Sequence, residues 1–213
     1  MKKLLAVLMF VLLAASLARA SAGITRIGLM VGANLASLTR TEQSLDWKTK
    51  LDFSGGAFLT FSLADFLAIE PEIFYSKKGS SYREDIDNGV LTTSIGLAYL
   101  DFPLLVKFYV PMGEEGRFRP MLFAGPYLGW KIRSKLDLTF EDFYGPVGET
   151  HDFTGLKNTD TGLVVGGGID LDVKGGGKFI IDVRYSTSFA TISKTEAGMK
   201  NRVFSILIGY SFL

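Results

Sequence analysis

The sequence of 213 residues contains no cysteine, a single histidine and no excess of charge of either sign. Without cysteine there is no disulfide framework and no thiolate chemistry, and one histidine gives little basis for acid–base catalysis or metal binding. Lysine and arginine total 23, aspartate and glutamate total 22, and no basic cluster occurs, which argues against a nucleic-acid-binding protein. We therefore predict no cofactor, no metal site, no catalytic residue and no nucleic-acid partner.

Long apolar runs are scarce, and the one clear example lies at the N-terminus. Two lysines precede an apolar run from Leu4 to Ala15, and small residues follow up to Ala20. This order is typical of a secretory signal peptide. An uncleaved membrane anchor is the alternative, but the run is short for a membrane span. We predict a signal peptide at 1–20, cleaved near Ala20, and one domain at 21–213.

No later stretch of about 18 apolar residues could form a transmembrane helix. Even so, 47% of the residues are hydrophobic, 13% are aromatic and the mean hydropathy is +0.25. In a bilayer every backbone polar group must be paired within the protein, so only helices and closed barrels can cross. An exported, apolar chain without such a helix therefore favours a β-barrel.

Eight segments alternate apolar and polar residues with period two, as expected for strands with one apolar face. The predicted strands are 25–37, 50–63, 67–78, 94–110, 118–133, 159–173, 178–190 and 203–213. In the last of them, the apolar series from Phe204 to Phe212 lies on one face, and Ser205, Gly209 and Ser211 lie on the other. Such a face is typical of a strand that contacts lipid.

The connections between these strands alternate in length. Short turns follow strands two, four and six, whereas longer polar segments follow the others, at about 38–49, 79–93, 134–158 and 191–201. Outer-membrane barrels have short periplasmic turns and longer external loops. We predict an all-β fold, an eight-stranded antiparallel up-and-down transmembrane β-barrel in the outer membrane. A soluble β-sandwich and a secreted lipocalin-type barrel are the alternatives.

Aromatic side chains with lipid-facing parity concentrate at the strand ends, where two interfacial belts are expected. The predicted belt consists of Phe61, Tyr75, Phe108, Phe118, Trp130, Phe179 and Phe212. These rings predict outer-membrane lipid as a partner.

Charged side chains occupy the opposite face of the strands. The predicted interior charge network consists of Glu70, Glu72, Lys78, Asp101, Lys107, Arg119, Lys131, Arg133, Asp170, Asp182 and Arg184. An eight-stranded barrel is so narrow that its own side chains fill it, and buried charges must pair because unpaired ones are costly. We predict a salt-bridged interior; a narrow ion path is the alternative.

Five stretches resemble segments of the outer-membrane β-barrel, or porin-family, proteins best known from Bacteroidetes. They are Glu70–Gly79, Tyr99–Phe108, Ala124–Tyr127, Asp182–Tyr185 and Asn201–Arg202. The resemblance spans the mature chain and implies an OmpA/OmpX-like eight-stranded barrel in a Gram-negative cell envelope. It also implies that the C-terminal strand is read by the barrel-assembly machinery, although Leu213 stands where such chains usually end on Phe. The family has no single activity.

Three functions are compatible with these features. The preferred hypothesis is a non-enzymatic surface protein for envelope structure or for binding an extracellular ligand through its loops. The loop that holds Phe143 and Tyr144 combines aromatic and turn residues, as contact surfaces do. The second hypothesis is a narrow passive channel. The third is a lipid-modifying enzyme, which would depend on His151.

Overall fold

The computed structural model describes residues 26–39, 48–86, 89–111, 117–174, 176–194 and 198–212. The strands that these residues form are β1 (Arg26–Thr39), β2 (Lys48–Ala64), β3 (Leu67–Ile86), β4 (Gly89–Tyr109), β5 (Phe118–Asp142), β6 (Gly145–Asp152), β7 (Thr159–Asp172), β8 (Lys178–Ser188) and β9 (Lys200–Ser211). Within the same ranges, no helix is long and apolar enough to cross a membrane. The predicted signal peptide at 1–20 lies outside the described residues and stays a prediction.

Eight of the strands form a closed antiparallel ring in the order β1, β2, β3, β4, β5, β7, β8, β9. The ring closes between the first and last strands, where Gly28 pairs with Ser211 and Val31 pairs with Ile208. Closure leaves no unpaired sheet edge around the ring. The predicted eight-stranded up-and-down barrel is confirmed, and a two-sheet sandwich is excluded.

Side chains alternate between a buried inner face and an exposed outer face along the strands. In β9, Phe204, Ile206 and Ile208 are exposed, whereas Val203 and Leu207 are buried. Exposed apolar residues occur on the outer face of every strand of the ring. This is the surface of a barrel that faces lipid, and it has the opposite polarity from a soluble lipocalin-type barrel.

Apolar side chains fill much of the barrel interior in two clusters. One cluster extends from the turn end through the middle and consists of Met30, Phe58, Ala68, Phe74, Leu105, Tyr109, Met121, Phe123, Tyr127, Val164, Ile180 and Leu207. The other lies at the loop end and consists of Leu38, Ile95, Leu97, Tyr99, Leu156, Ile192 and Met199. The interior is therefore a packed core, as expected for eight strands.

Two of the predicted long loops are strands instead, and these predictions were wrong. The segment 79–93 continues β3 and β4 as a ladder that ends with Ile86 paired to Gly89. The segment 134–158 contains the end of β5 and all of β6, which pair from Lys135–Asp152 to Asp142–Gly145. The outer part of β3 and nearly all of β6 are polar, so these segments lack the one-sided apolar alternation that marks a barrel strand, although Leu136, Leu138 and Phe140 continue that alternation in β5. The hairpins extend the sheet beyond the ring.

The seam between β1 and β9 depends on a close approach at Gly32. A Cβ atom on Gly32 would lie 2.0 Å from the carbonyl oxygen of Ile206 and 2.7 Å from the Cα of Leu207. Real Cβ atoms do not approach backbone this closely, so a side chain here would force the two strands apart. The neighbouring Ala33 is exposed on the outer face.

We predict that Gly32→Val weakens barrel closure, because overpacking at a tight contact costs about 1–3 kcal/mol. The measurement is a gel of outer-membrane fractions with and without boiling, since a folded membrane barrel resists detergent and changes mobility when boiled. Ala33→Val is the matched control and should keep the wild-type shift. A full mobility shift in Gly32→Val would contradict the proposed role of the seam.

Candidate functional site

Ten charged side chains are buried inside the barrel among the residues that the structure describes. The four cations are Arg26, Lys78, Lys107 and Arg184, and the six carboxylates are Glu70, Glu72, Asp101, Asp160, Asp170 and Asp182. Strand alternation places them on the inner face, at successive levels between the turn end and the loop end. This charged interior is the candidate functional site.

The level nearest the turns is organised by Arg26. Its guanidinium forms an ion pair with Asp170 and hydrogen-bonds the hydroxyl of Tyr109. Arg119 stacks over the same tyrosine ring, 4.4 Å from its centroid, and donates to the carbonyl of Asp65 in the β2–β3 turn. The two arginines and the tyrosine fill the barrel at its turn end.

The next level is a fully buried pair between Lys107 and Glu70. The Lys107 Nζ lies 2.5 Å from Glu70 Oε1, and Thr60 donates a hydrogen bond of 2.6 Å to Glu70 Oε2. The ammonium group also lies 5.4 Å from the centre of the Phe123 ring. A buried charge is tolerated when it is paired in this way, whereas removing one partner leaves a costly unpaired ion.

Arg184 forms the most extensive contact set in the middle of the barrel. Its guanidinium donates to both carboxylate oxygens of Glu72, at 2.7 and 3.1 Å, and to both oxygens of Asp182, at 2.8 and 2.7 Å. The guanidinium carbon also lies 5.3 Å from the ring centres of Phe74 and Phe123. A planar fork that satisfies two carboxylates at once requires arginine, because lysine has a single point charge.

Lys78 organises the level nearest the loops. Its Nζ lies 2.8 Å from Asp101 and 3.8 Å from Asp160, and it sits 4.7 and 4.8 Å from the ring centres of Tyr99 and Tyr127. Asp160 also accepts hydrogen bonds from the Tyr127 hydroxyl, at 3.0 Å, and from Asn201, at 2.9 Å. The cation is thus enclosed by two carboxylates and two aromatic faces.

A small polar cavity separates the Arg184 and Lys78 levels. Its volume is about 30 Å³, and its polar lining includes Asn34, Ser76 and Ser205. Asn34 donates to Ser76 at 3.0 Å and accepts from Ser205 at 2.8 Å. A polar cavity of this size holds one or two water molecules and is far too small for a solute.

The loop end of the interior is covered by the connections on either side of β7 and β8. Leu156 and Ile192 are buried there, and a bridge between Leu156 and Ser193 joins the two connections. Lys157 donates its amide to the Ile192 carbonyl at 2.7 Å, and the Lys131 ammonium donates to the Leu156 carbonyl at 2.9 Å. We call this cover the Leu156–Ile192 cap.

The predicted interior charges are placed as follows. Eight are buried and paired, namely Glu70, Glu72, Lys78, Asp101, Lys107, Asp170, Asp182 and Arg184. Arg119 and Lys131 are half-buried at the two ends. The interior position predicted for Arg133 is wrong. Ala98 pairs with Arg133 while Tyr99 pairs with Lys131, so a bulge at residue 132 reverses the alternation and turns Arg133 outward.

Two interior charges, Arg26 and Asp160, were missing from the predicted network. Both occupy inner-face positions in the alternation of their strands, so the period-two pattern alone was enough to predict that they face inward. Their partners could not have been named from the sequence, because Arg26 pairs with a residue 144 positions away.

The predicted aromatic belt is largely exposed on the outer face. Exposure runs from 38% to 57% for Tyr75, Phe108, Phe118, Trp130, Phe179 and Phe212. Phe61 is only 8% exposed, although its pairing with Ile69 keeps it in register with the outer face. It lies beside the bulge between the Ser62 and Ala64 pairs, where the strand bends.

Replacing Arg184 tests whether the interior charges stabilise the barrel as pairs. Arg184→Met leaves two buried carboxylates without their cation, so we predict a loss of about 3–5 kcal/mol in the free energy of unfolding. Urea-induced unfolding in phospholipid vesicles, followed by tryptophan fluorescence, measures this loss. Exposed Arg202 provides the control, because Arg202→Met should change stability by less than about 0.5 kcal/mol.

A second variant separates unpaired charge from lost packing. Glu72→Gln combined with Asp182→Asn and Arg184→Met removes all three charges and should recover much of the lost stability. If Arg184→Met unfolds like Arg202→Met, the ion triad does not stabilise the barrel.

Three solved structures of bacterial proteins are similar to this chain. Ail, the attachment invasion locus protein of Yersinia pestis, in complex with the heparin analogue sucrose octasulfate, is 14% identical with a TM-score of 0.44, over 88% of this chain and 98% of Ail. Neisserial surface protein A is 12% identical with a TM-score of 0.42, over 86% and 95% of the two chains. OprG from Pseudomonas aeruginosa is 15% identical with a TM-score of 0.44, over 88% and 93%.

No curated protein sequence matches the chain significantly. The sequence model of the family described as outer membrane protein beta-barrel domain matches residues 19–194, which is most of the chain. This match does not test the finer resemblance to proteins of Bacteroidetes, which stays a prediction. Because the family model matches most of the chain, the protein belongs to the outer-membrane protein β-barrel family, and its location is the outer membrane.

Proposed function

We propose that this protein is a non-enzymatic outer-membrane protein whose barrel does not conduct solutes and whose function lies in its extracellular hairpins. The observation that carries this proposal is the closed interior. Ion-paired levels centred on Arg26, Lys107, Arg184 and Lys78 follow one another along the barrel. The Leu156–Ile192 cap covers them at the loop end.

A conducting pore needs a continuous aqueous path in which ions bind weakly enough to leave. Here each buried cation is held by at least one carboxylate, and aromatic rings lie against the guanidinium and ammonium groups. The cavity of about 30 Å³ between two of the levels is bounded by Phe74, Tyr127 and Leu207. These contacts support a structural role for the interior charges.

We predict that the purified protein gives no steady single-channel currents in planar bilayers bathed in concentrated potassium chloride. The interior would have to lose several ion pairs and its cap before ions could pass. Asp101→Asn should leave the record equally silent. Steady current steps that change in Asp101→Asn or Arg119→Gln would contradict the proposal and support the narrow channel.

The β5–β6 hairpin carries an exposed aromatic pair at its tip. Phe143 is 97% exposed and Tyr144 is 94% exposed, and their rings meet edge to face with centroids 5.8 Å apart. Val147 adds an apolar side chain nearby on β6. Large aromatic side chains held in solvent by a paired hairpin are typical of binding surfaces. We therefore assign extracellular binding to this tip.

Replacing the tip aromatics should reduce binding without unfolding the barrel. Cells that display Phe143→Ser with Tyr144→Ser should adhere to immobilised collagen, fibronectin or laminin at most one tenth as well as wild-type cells. Retained cells are counted after washing, and the boiling-dependent gel shift confirms folding. His151→Ser, on the same hairpin, is the control and should adhere normally. Undiminished adhesion of the tip variant would contradict the role of the tip.

The exposed position of His151 supports the non-enzymatic part of this proposal. It lies on β6, its imidazole Nε2 is 3.2 Å from Glu149, and both side chains are largely exposed. A catalytic histidine in a lipid-modifying enzyme would lie beside a nucleophile at the membrane surface. The solvent-facing pair on the extended hairpin supports a surface role for His151 instead.

A further inference from the structure

The outer face of β3, β4 and β5 arranges side chains in rows that cross the three strands. The register places Tyr75 beside Leu100, and Leu100 beside Trp130. This row belongs to the aromatic belt at the loop end, which marks the interface between lipid and water. Positions farther along the strands toward the loops therefore lie at the level of the lipid headgroups.

The next row toward the loops is cationic at both ends and small in the middle. Lys77 pairs with Ala98, and Ala98 pairs with Arg133. Both charged residues are exposed. The row lies two residues beyond Tyr75, which corresponds to about 7 Å along the strand.

The row after that continues the same pattern. Gly79 pairs with Gly96, and Gly96 pairs with Lys135. A Cβ atom on Gly96 would lie 3.6 Å from the Nζ of Lys50, which reaches over this position from β2. Gly96 and Ala98 thus form a floor that cationic side chains border.

A groove of about 160 Å³ lies here, lined by Lys50, Asp52, Tyr75, Lys77, Lys78, Gly96, Leu97, Ala98, Arg133, Lys135 and Asp137. Lys50 lies 3.9 Å from Asp52, and Asp137 accepts a hydrogen bond of 2.7 Å from Thr150. Lys77, Arg133 and Lys135 form no ion pair with any residue that the structure describes. We call this feature the Lys77–Arg133 groove.

We propose that the Lys77–Arg133 groove binds the phosphate groups of lipid headgroups in the outer leaflet. Three cations without counter-ions among the described residues border this groove, and arginine can bind phosphate with two parallel hydrogen bonds. The groove begins one row beyond the aromatic belt, where headgroup phosphates lie. This inference rests on the membrane position of the barrel and is independent of binding at the Phe143–Tyr144 tip.

A binding site for a soluble anion would not need to lie next to the aromatic belt. The same three cations on the distal part of a hairpin would serve a free phosphate or a sulfated glycan equally well. Their place directly above Tyr75 and Trp130 lets the acyl chains of one lipid lie against the belt while its phosphate enters the groove. The combination of apolar and cationic rows on the same strands favours a lipid.

The test compares phosphorylated and dephosphorylated lipid A bound to the full chain in detergent micelles, by native mass spectrometry. Basic residues near a membrane surface contribute additively, so Lys77→Gln with Arg133→Gln and Lys135→Gln should bind phosphorylated lipid A at least about tenfold more weakly. Arg83→Gln with Arg117→Gln and Lys174→Gln is the control, because it removes three exposed cations outside the groove. The control should bind like wild type.

Two further measurements make the outcome decisive. Lys77→Arg with Arg133→Lys and Lys135→Arg keeps the charge and should retain binding, and every variant must show the boiling-dependent gel shift. Equal binding by the glutamine variant, or equal binding of dephosphorylated lipid A, would overturn the proposal. Tighter binding of inorganic phosphate or heparin oligosaccharide than of phosphorylated lipid A would also overturn it, in favour of a soluble anion or a glycan.

Discussion

The ladder between β1 and β9 is the constraint on which the rest of the structure depends. A bilayer offers no water to hydrogen-bond an open strand edge, so the first and last strands must pair along their length. Gly32 lets them approach closely enough to do so. Once eight strands close into a ring, the diameter is fixed and the inner face has no access to solvent. The polar and charged groups on that inner face must therefore pair with one another.

The paired charges of the interior follow from this closure. Arg184 satisfies Glu72 and Asp182 together, and Lys78 lies between two carboxylates and two tyrosine rings. Such pairs add little stability over an apolar core, but breaking one is costly. The apolar cluster around them excludes water and makes the interior a rigid support. A packed barrel holds the β3–β4 and β5–β6 hairpins in a defined position, as the proposed binding role requires.

The hairpins are continuations of the barrel strands beyond the ring, and they carry different side chains there. β3, β4 and β5 stay paired past the aromatic belt, so the lipid-facing surface continues into the Lys77–Arg133 groove. The bulge at residue 132 makes this possible because it turns Arg133 outward. Farther out, the β5–β6 hairpin holds Phe143 and Tyr144 in solvent. One continuous sheet therefore connects a lipid-contacting level, a cationic level and an aromatic tip.

The sequence alone determined the barrel, because a strand in contact with lipid must alternate with period two and every ring strand does so. It also determined that Lys107 and Arg184 face inward, since parity follows from the same alternation. Only the tertiary structure decided their partners: Glu72 and Arg184 are 112 residues apart, and no local pattern relates such positions. It also decided the side on which Arg133 lies, because one bulged residue reverses parity, and it revealed the β5–β6 hairpin, whose second strand is almost entirely polar and therefore carries no apolar alternation. The alternation of residues along the sequence determines the face on which a side chain lies, whereas its partners across the barrel depend on how the ring closes.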